Sequence, residues 1–590
     1  MKRIIPVLTA LVLTMSVSAQ DIKTGSTFRS GDFYYRVTKG KNVELICQDK
    51  NPKKNYAGMK YADIPATVNA NGKIFNVVTI GDNAFAGCDS LVTISFPESI
   101  TAVSGNAFDG CNAVRNIIWN VKAYPNPKRD TESPLSGVRK TVETITFGDK
   151  VVNIPDALCY EMVNLKTINM NVGLKMIGKK SFSGCRAMEH ISLGNNLKTI
   201  GKEAFYNCVS LLDITIPPSV TSIESHAFEG CNALSEIVWQ PMNYTIKKEA
   251  DAPFNSLCQQ ILSVRIGDKV KNIPSYLCSG MNNIDTVMLP NSVTAIDHHA
   301  FSNCLKLRTI NISNAITAIG EGAFEKCEVL DSISLGNAVT EISKNSFEGC
   351  KSLHHIVIPK RITKIGSNAF SACTSLDTIE LNEGLTAIGK EAFKGCTHLR
   401  YINLPQSLTA LEEAAFEDCE LLSSISIPSQ IKILNKSMFY ACKKLTDIQL
   451  SDGLKEITQD VFKGCESLKQ ISIPVGVSVV NKTAFSDCAA LTNILWNSAV
   501  YKDIKKIEDA PFSLVAQQIT TINFGENVTR IPMNLCADFV SLRSVTIPSK
   551  IVTIATKAFS GCTSLEKAVF SNPETMVEEG AFEPNTELKR

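Results

Sequence analysis

Little in this chain of 590 residues invites bond-making chemistry. Histidines number seven and tryptophans three. The strings that mark a serine nucleophile elbow, an HExxH metal site, a phosphate loop or a dinucleotide fold are missing. No CxxC pair offers the spacing of a structural zinc site. Neither charge is in excess: 60 Lys and Arg stand against 58 Asp and Glu, spread evenly, for a net charge of +2. That balance excludes the basic stripe of a nucleic-acid binder and supplies no acidic tail. Apolar runs long enough to cross a membrane are absent too; the longest is the short IIPVLTALVLTMSV near the start.

That short run follows Met1-Lys2-Arg3 and precedes Ser18-Ala19-Gln20. A basic segment, an apolar segment and a small-residue cleavage site together predict a secretory signal peptide over residues 1–19. The first cysteine after it is Cys47, which speaks against a lipid anchor at the cleavage site. The expected location is outside the cytoplasm: the cell surface, the medium or the periplasm, with no integral membrane segment.

What the chain has in abundance is repetition. Ala-Phe-x-x-Cys recurs at Ala204–Cys208 and Ala227–Cys231, inside a unit C-x-x-L-x-x-I-x-L-P-x-x-V-T-x-I-x-x-x-A-F-x-x of 23 residues. From Phe301 to Phe485 eight successive steps are all 23. Leu158, Leu277 and Leu535 are read as filling the Phe slot in the variants IPDALC, IPSYLC and IPMNLC. SPL (Ser133–Leu135) and two APF strings (Ala252–Phe254, Ala510–Phe512) fill it after inserted loops, for about 22 coils in all. L-x-x-I-x-L is a short strand, with Leu353, Ile356 and Ile358 pointing in and His354, His355 and Val357 out. V-T-x-I is a second extended stretch, and Gly and Pro mark the bends. One coil has nothing to bury its Leu, Ile and Phe against. Stacked coils bury them on one another and add ladder hydrogen bonds.

Twenty cysteines in an exported chain would ordinarily suggest disulfides. Fifteen of them, however, stand three residues after the repeated Phe, and where that slot lacks Cys it holds Val138, Leu257 or Val515. A slot that exchanges Cys for Val or Leu is a small buried apolar position. Stacked coils also hold equivalent Cβ atoms about 4.8 Å apart, against about 3.8 Å in a disulfide. A ladder of free thiols is expected. Trp119, Trp239 and Trp496 occupy the third apolar position of their strands, each ahead of an inserted loop. They read as core residues covering widened coils; the alternative is an exposed aromatic shelf for sugar rings.

The motif C-x-x-L-x-x-I-x-L-P…I-G-x-x-A-F-x-x-C closely resembles the BspA-like leucine-rich repeats of bacterial surface and secreted proteins, over about residues 75–590. The resemblance implies a β-rich solenoid, a leucine-rich-repeat right-handed superhelix with a parallel sheet on its inner face. It further implies binding of host matrix or plasma proteins, or of other bacteria. Residues 20–74 lack the motif, and DFYYRVTKG and NVELICQ alternate like a hairpin, so this segment reads as an N-terminal β cap.

No nucleophile–base pattern recurs, and the expectation is a binding protein, not an enzyme, without cofactor or metal. The outward strand positions offer the better surface. Charged and aromatic residues concentrate there in Asp285, Arg308, Asp331, His354, His355, Asp377, Glu380, Arg400 and Tyr401. Arg and Tyr are favoured anchors of protein interfaces. These nine are the candidate contacts for a host or bacterial surface protein, a matrix protein among them, or alternatively for a glycan. Nucleic acid is not expected.

Overall fold

The computed structural model describes residues 22–590, so the expected signal peptide lies outside the described residues. The chain falls into two compact units, Met1–Leu211 and Leu212–Arg590. Both are stacks of short coils, about 22 turns in all.

The described part of the first unit opens with a six-stranded sheet. Thr27–Ser30, Phe33–Val37 and Asn42–Ile46 pair antiparallel in succession, so the two alternating stretches do form a hairpin. Asn42–Ile46 then runs parallel to Lys73–Ile80, which closes a second hairpin on Thr67–Ala70. The turn residues of that hairpin, Asn71 and Gly72, both have positive φ (52° and 80°). Asn-Gly is the pair that tolerates this conformation best. From Tyr61–Asp63 onward all pairing in the strand ladder is parallel, through Thr93–Phe96, Asn116–Trp119 and Thr144–Phe147 to Thr167–Asn169.

The second unit repeats that parallel ladder in segments such as Asp213–Ile216, Glu236–Trp239 and Ser263–Ile266, each residue facing its equivalent in the next coil. The V-T-x-I stretches form a separate parallel ladder, for example Glu341–Ile342, Lys364–Ile365, Ala387–Ile388 and Ala410–Leu411. Strands are short because each coil must bend again within a few residues. In the coil after Leu289 even the ladder bond is replaced: the Asn311 amide accepts from Leu289 N–H (2.7 Å) and donates to its carbonyl (2.9 Å).

The core between the ladders is a column of rings. Phe347, Phe370 and Phe393 stack with centroids 5.5 Å apart and planes within 6°. Every Phe in that run is fully buried, contributing about 1.5–3 kcal/mol each in transfer free energy. All twenty cysteines are free, and eighteen are buried. Most ladder thiols also donate a hydrogen bond to the Phe carbonyl of the preceding coil, as Cys373 Sγ does to Phe347 O (3.1 Å) and Cys396 Sγ to Phe370 O (3.2 Å). This explains why the slot prefers Cys: Ala would match its size roughly but not supply the donor.

One register differs from the sequence reading. In the coils carrying IPDALC, IPSYLC and IPMNLC the Phe slot is filled by Cys159, Cys278 and Cys536, and not by the preceding leucines. Their carbonyls accept the thiols of Cys185, Cys304 and Cys562, the role the Phe carbonyls play elsewhere. The Cys slot three residues on then holds Met162, Met281 and Phe539, all buried. Large and small residues have exchanged places within the coil, so core volume is kept.

Candidate binding surface on the strand face

All nine residues singled out from the sequence are exposed, and all lie in the second unit. Their backbone neighbours fix them in rows: alternation along the strand His355–Val357 turns Ile356 inward and His355 and Val357 outward, while Leu353 enters the core and His354 stays outside in the residues just before the strand. Along the first outward row Arg308 N–H donates to Asp285 O (2.8 Å). The row resumes with His354 N–H to Asp331 O (3.4 Å), Asp377 N–H to His354 O (3.1 Å) and Arg400 N–H to Asp377 O (3.5 Å). His355 stands in the next row, bridged to Ser332 and paired with Thr378, whose Oγ1 lies 2.8 Å from its Nδ1. Tyr401 is bridged to Ser424, and Glu380 pairs with Val357.

The first row alternates acidic with basic or imidazole side chains: Asp285, Arg308, Asp331, His354, Asp377, Arg400. Among the described residues none of its carboxylates or guanidiniums forms a salt bridge. Charges on the turn segments behave differently, for they pair from coil to coil. Lys344 reaches Glu321 at 2.8 Å, Lys351 reaches Glu328 at 2.8 Å, Lys394 reaches Glu417 at 3.1 Å and Lys443 reaches Glu420 at 2.8 Å. The hydrogen bond from Lys344 holds the Glu321 carboxyl below its ordinary value. Elsewhere the same row does pair its charges, Arg543 with Glu566 at 3.5 Å and Arg115 with Glu143 at 3.2 Å, so it is the stretch from Asp285 to Arg400 that keeps them for solvent or a ligand.

The three tryptophans are fully buried, which rules out the aromatic shelf at those positions. Each meets a tyrosine edge-on: Trp239 and Tyr244 with centroids 5.0 Å apart at 89°, Trp119 and Tyr124 at 5.5 Å, Trp496 and Tyr501 at 5.0 Å. The tyrosine hydroxyl then accepts a backbone N–H of the coil before, from Ile223 in the case of Tyr244 (3.2 Å). The indole Nε1 atoms have no hydrogen-bond partner. The inserted coils use this Trp–Tyr clasp to close a wider core. Behind two of them a glutamine completes the carbonyls: Gln260 donates to Cys231 O (2.6 Å) and Leu234 O (3.0 Å), Gln518 to Cys488 O (2.6 Å) and Leu491 O (2.9 Å).

Sequence reasoning missed the relief of this face. Among the described residues the exposed aromatic rings are Tyr61 and Tyr401, 71% and 60% accessible, and both stand on strand faces. Beside Tyr401 the rung of Ser423, Ser424 and Ser426 forms a hollow. A run of three small outward residues between larger ones was the available signal.

Stacked parallel coils, an Ile/Leu/Phe interior and an open polar strand face define a leucine-rich-repeat solenoid. The chain belongs to the family described as BspA type leucine rich repeat region, which it matches over residues 71–125, 139–252, 250–377, 363–492 and 492–590. Solved structures similar to it include a leucine-rich repeat protein from Bacteroides ovatus, 22% identical, covering 95% of this chain and 99% of that one at a TM-score of 0.30. A leucine rich cell surface protein from Faecalibacterium prausnitzii is 22% identical over 72% of this chain and 95% of its own, TM-score 0.28. Among curated proteins, a leucine-rich repeat-containing G-protein coupled receptor 5A from Xenopus laevis is 31% identical over 120 residues. That stretch is 20% of this chain and only 13% of the receptor.

Proposed function

We propose that the protein is exported and binds a protein ligand on a host or bacterial surface through the open strand face of its second unit. Asp285, Arg308, Asp331, His354, His355, Asp377, Glu380, Arg400 and Tyr401 supply the contacts. One observation carries this reading. Between Asp285 and Arg400 the strand-face row holds three carboxylates and two guanidiniums with no salt bridge, while charges on the turns are paired coil to coil. Charges left unpaired on an extended surface are available to a complementary partner, where they steer association and set register. A long open surface also suits a macromolecule better than a small substrate, which wants an enclosed pocket. Residues 20–74 serve in this reading as the cap that covers the first coil, supported by the antiparallel strands that precede the parallel ladder.

The test is capture of matrix and plasma proteins on an array by the chain lacking residues 1–19. Arg400→Ala and Tyr401→Ala should each weaken binding by about 1–2 kcal/mol or more where the residue is a hot spot. Lys394→Ala, on the turn side and paired with Glu417, should leave it intact. Loss through the Lys394 change with the strand-face pair silent would move the site to the other surface.

A further inference from the structure

The hollow beside Tyr401 has the build of a ligand subsite. Tyr401 and Asn403 rise from one coil and Asp447 and Gln449 from the second coil on; Ser424 and Ser426 lie between. Ser424 is bridged to Tyr401 on one side and pairs with Asp447 on the other, and Ser426 pairs with Gln449, so the three rungs are direct neighbours. A short rung between two tall ones leaves a trough of about 260 Å³. Its backbone walls are two coil spacings, about 10 Å, apart. Among the described residues the side chains of Asn403, Ser424, Ser426, Asp447 and Gln449 have no hydrogen-bond partner or salt bridge. At the other exposed aromatic, Tyr61, the neighbouring polar group is spent: the Asn116 amide donates to Thr93 Oγ1 (3.3 Å).

We propose that this trough binds a single neutral pyranose ring of a surface glycan, stacked on Tyr401 and hydrogen-bonded by Asn403, Asp447 and Gln449. A pyranose presents an apolar C–H face and a rim of hydroxyls, each both donor and acceptor. The flat tyrosine ring meets the first. Two amides, two serine hydroxyls and a carboxylate offer both kinds of partner to the second. An apolar peptide side chain entering the same space would strip water from these groups and return no hydrogen bonds. An anionic ligand would meet the Asp447 carboxylate. The volume lies just under the roughly 300–1,000 Å³ of drug-sized pockets, which suits one ring. The site rests on the open strand face of the proposed function but shares only Tyr401 with its nine contacts and none of the charged row.

The experiment probes the full chain against an array of neutral oligosaccharides, followed by titration with methyl glycosides of glucose, galactose, mannose and N-acetylglucosamine. Saturable binding to at least one of them is expected. Tyr401→Ala should abolish it, Gln449→Ala should weaken it roughly tenfold, and Tyr401→Phe should keep it, because stacking needs the ring and not the hydroxyl. Ser424→Leu should block it by filling the trough while leaving every wall residue in place. Asp377→Ala, in the charged row, should bind sugar normally yet lose protein capture, so the two readings fail separately. Absence of any neutral-glycan binding by the unaltered chain, or binding that survives both Tyr401→Ala and Ser424→Leu, overturns the proposal. So does capture of proteins alone that Ser424→Leu abolishes, which would make the trough a peptide site.

Discussion

Cys373 and Cys396 show what one residue contributes to this stack. Each thiol fills a small core position and donates to a carbonyl one coil away. Burial pushes the Cys396 thiol from 9.0 up to about 12, and Cys373 well above its ordinary value for the same reason. Below pH 9 the thiols are protonated in folded and unfolded chain alike, and their burial stabilises fully. As pH rises past 9 the unfolded chain ionises while the folded one does not, so stability falls between about pH 9 and about pH 12. Urea midpoints across that range should drop. Replacing both cysteines by Ala should cost on the order of 1 kcal/mol each at neutral pH and make the alkaline decline shallower. An unchanged slope would mean these thiols do not titrate with unfolding. Alkylation of denatured, unreduced protein should find the ladder thiols free.

Within one coil, volume is conserved across two slots. Cys278 and Met281 stand where most coils place Phe and Cys, and both are buried. Cys278→Phe alone overfills the coil and should cost about 1–3 kcal/mol. Met281→Cys alone opens a cavity and should cost a comparable amount. The double variant restores the common pair and should be more stable than the two costs added together, by about 0.5–3 kcal/mol of coupling. A strictly additive denaturation cycle would show that the two slots are independent and that the exchange is coincidental. The Trp–Tyr clasps belong to the same scale: each compensates the extra width of an inserted coil with one large ring and one hydroxyl.

On the scale of the whole molecule, stability is carried by interfaces between neighbouring coils, each much like the next. Deleting residues 374–396 removes one period and joins Cys373 to Thr397 in register. The shortened chain should keep its far-ultraviolet circular dichroism per residue and unfold cooperatively, with a denaturant slope lower in proportion to the surface lost. Deleting 374–384 instead breaks the period, turns core residues outward and should prevent the second unit from folding. If the 23-residue deletion fails as badly, the coils are not interchangeable and the repeat description is insufficient.

Much of this was legible in the residues alone, for a physical reason: whether a strand position faces in or out depends on its immediate neighbours along the chain. Leu353 and Ile356 in, His354 and His355 out, the free thiols and the 23-residue coil all follow from exact repetition of the apolar positions, with alternation deciding the strand from His355 to Val357. The match between adjacent coils is a different matter. Counting 23 back from Phe301 does reach Cys278 and not Leu277, but that the Cys304 thiol takes the Cys278 carbonyl, that Lys351 finds Glu328 while Arg400 stays unpaired, and that Ser424 lies in a trough between Tyr401 and Asp447 depend on side-chain volumes and directions one coil away. Those relations exist only once the coils are stacked, so the sequence determined the wall and the tertiary structure decided its relief.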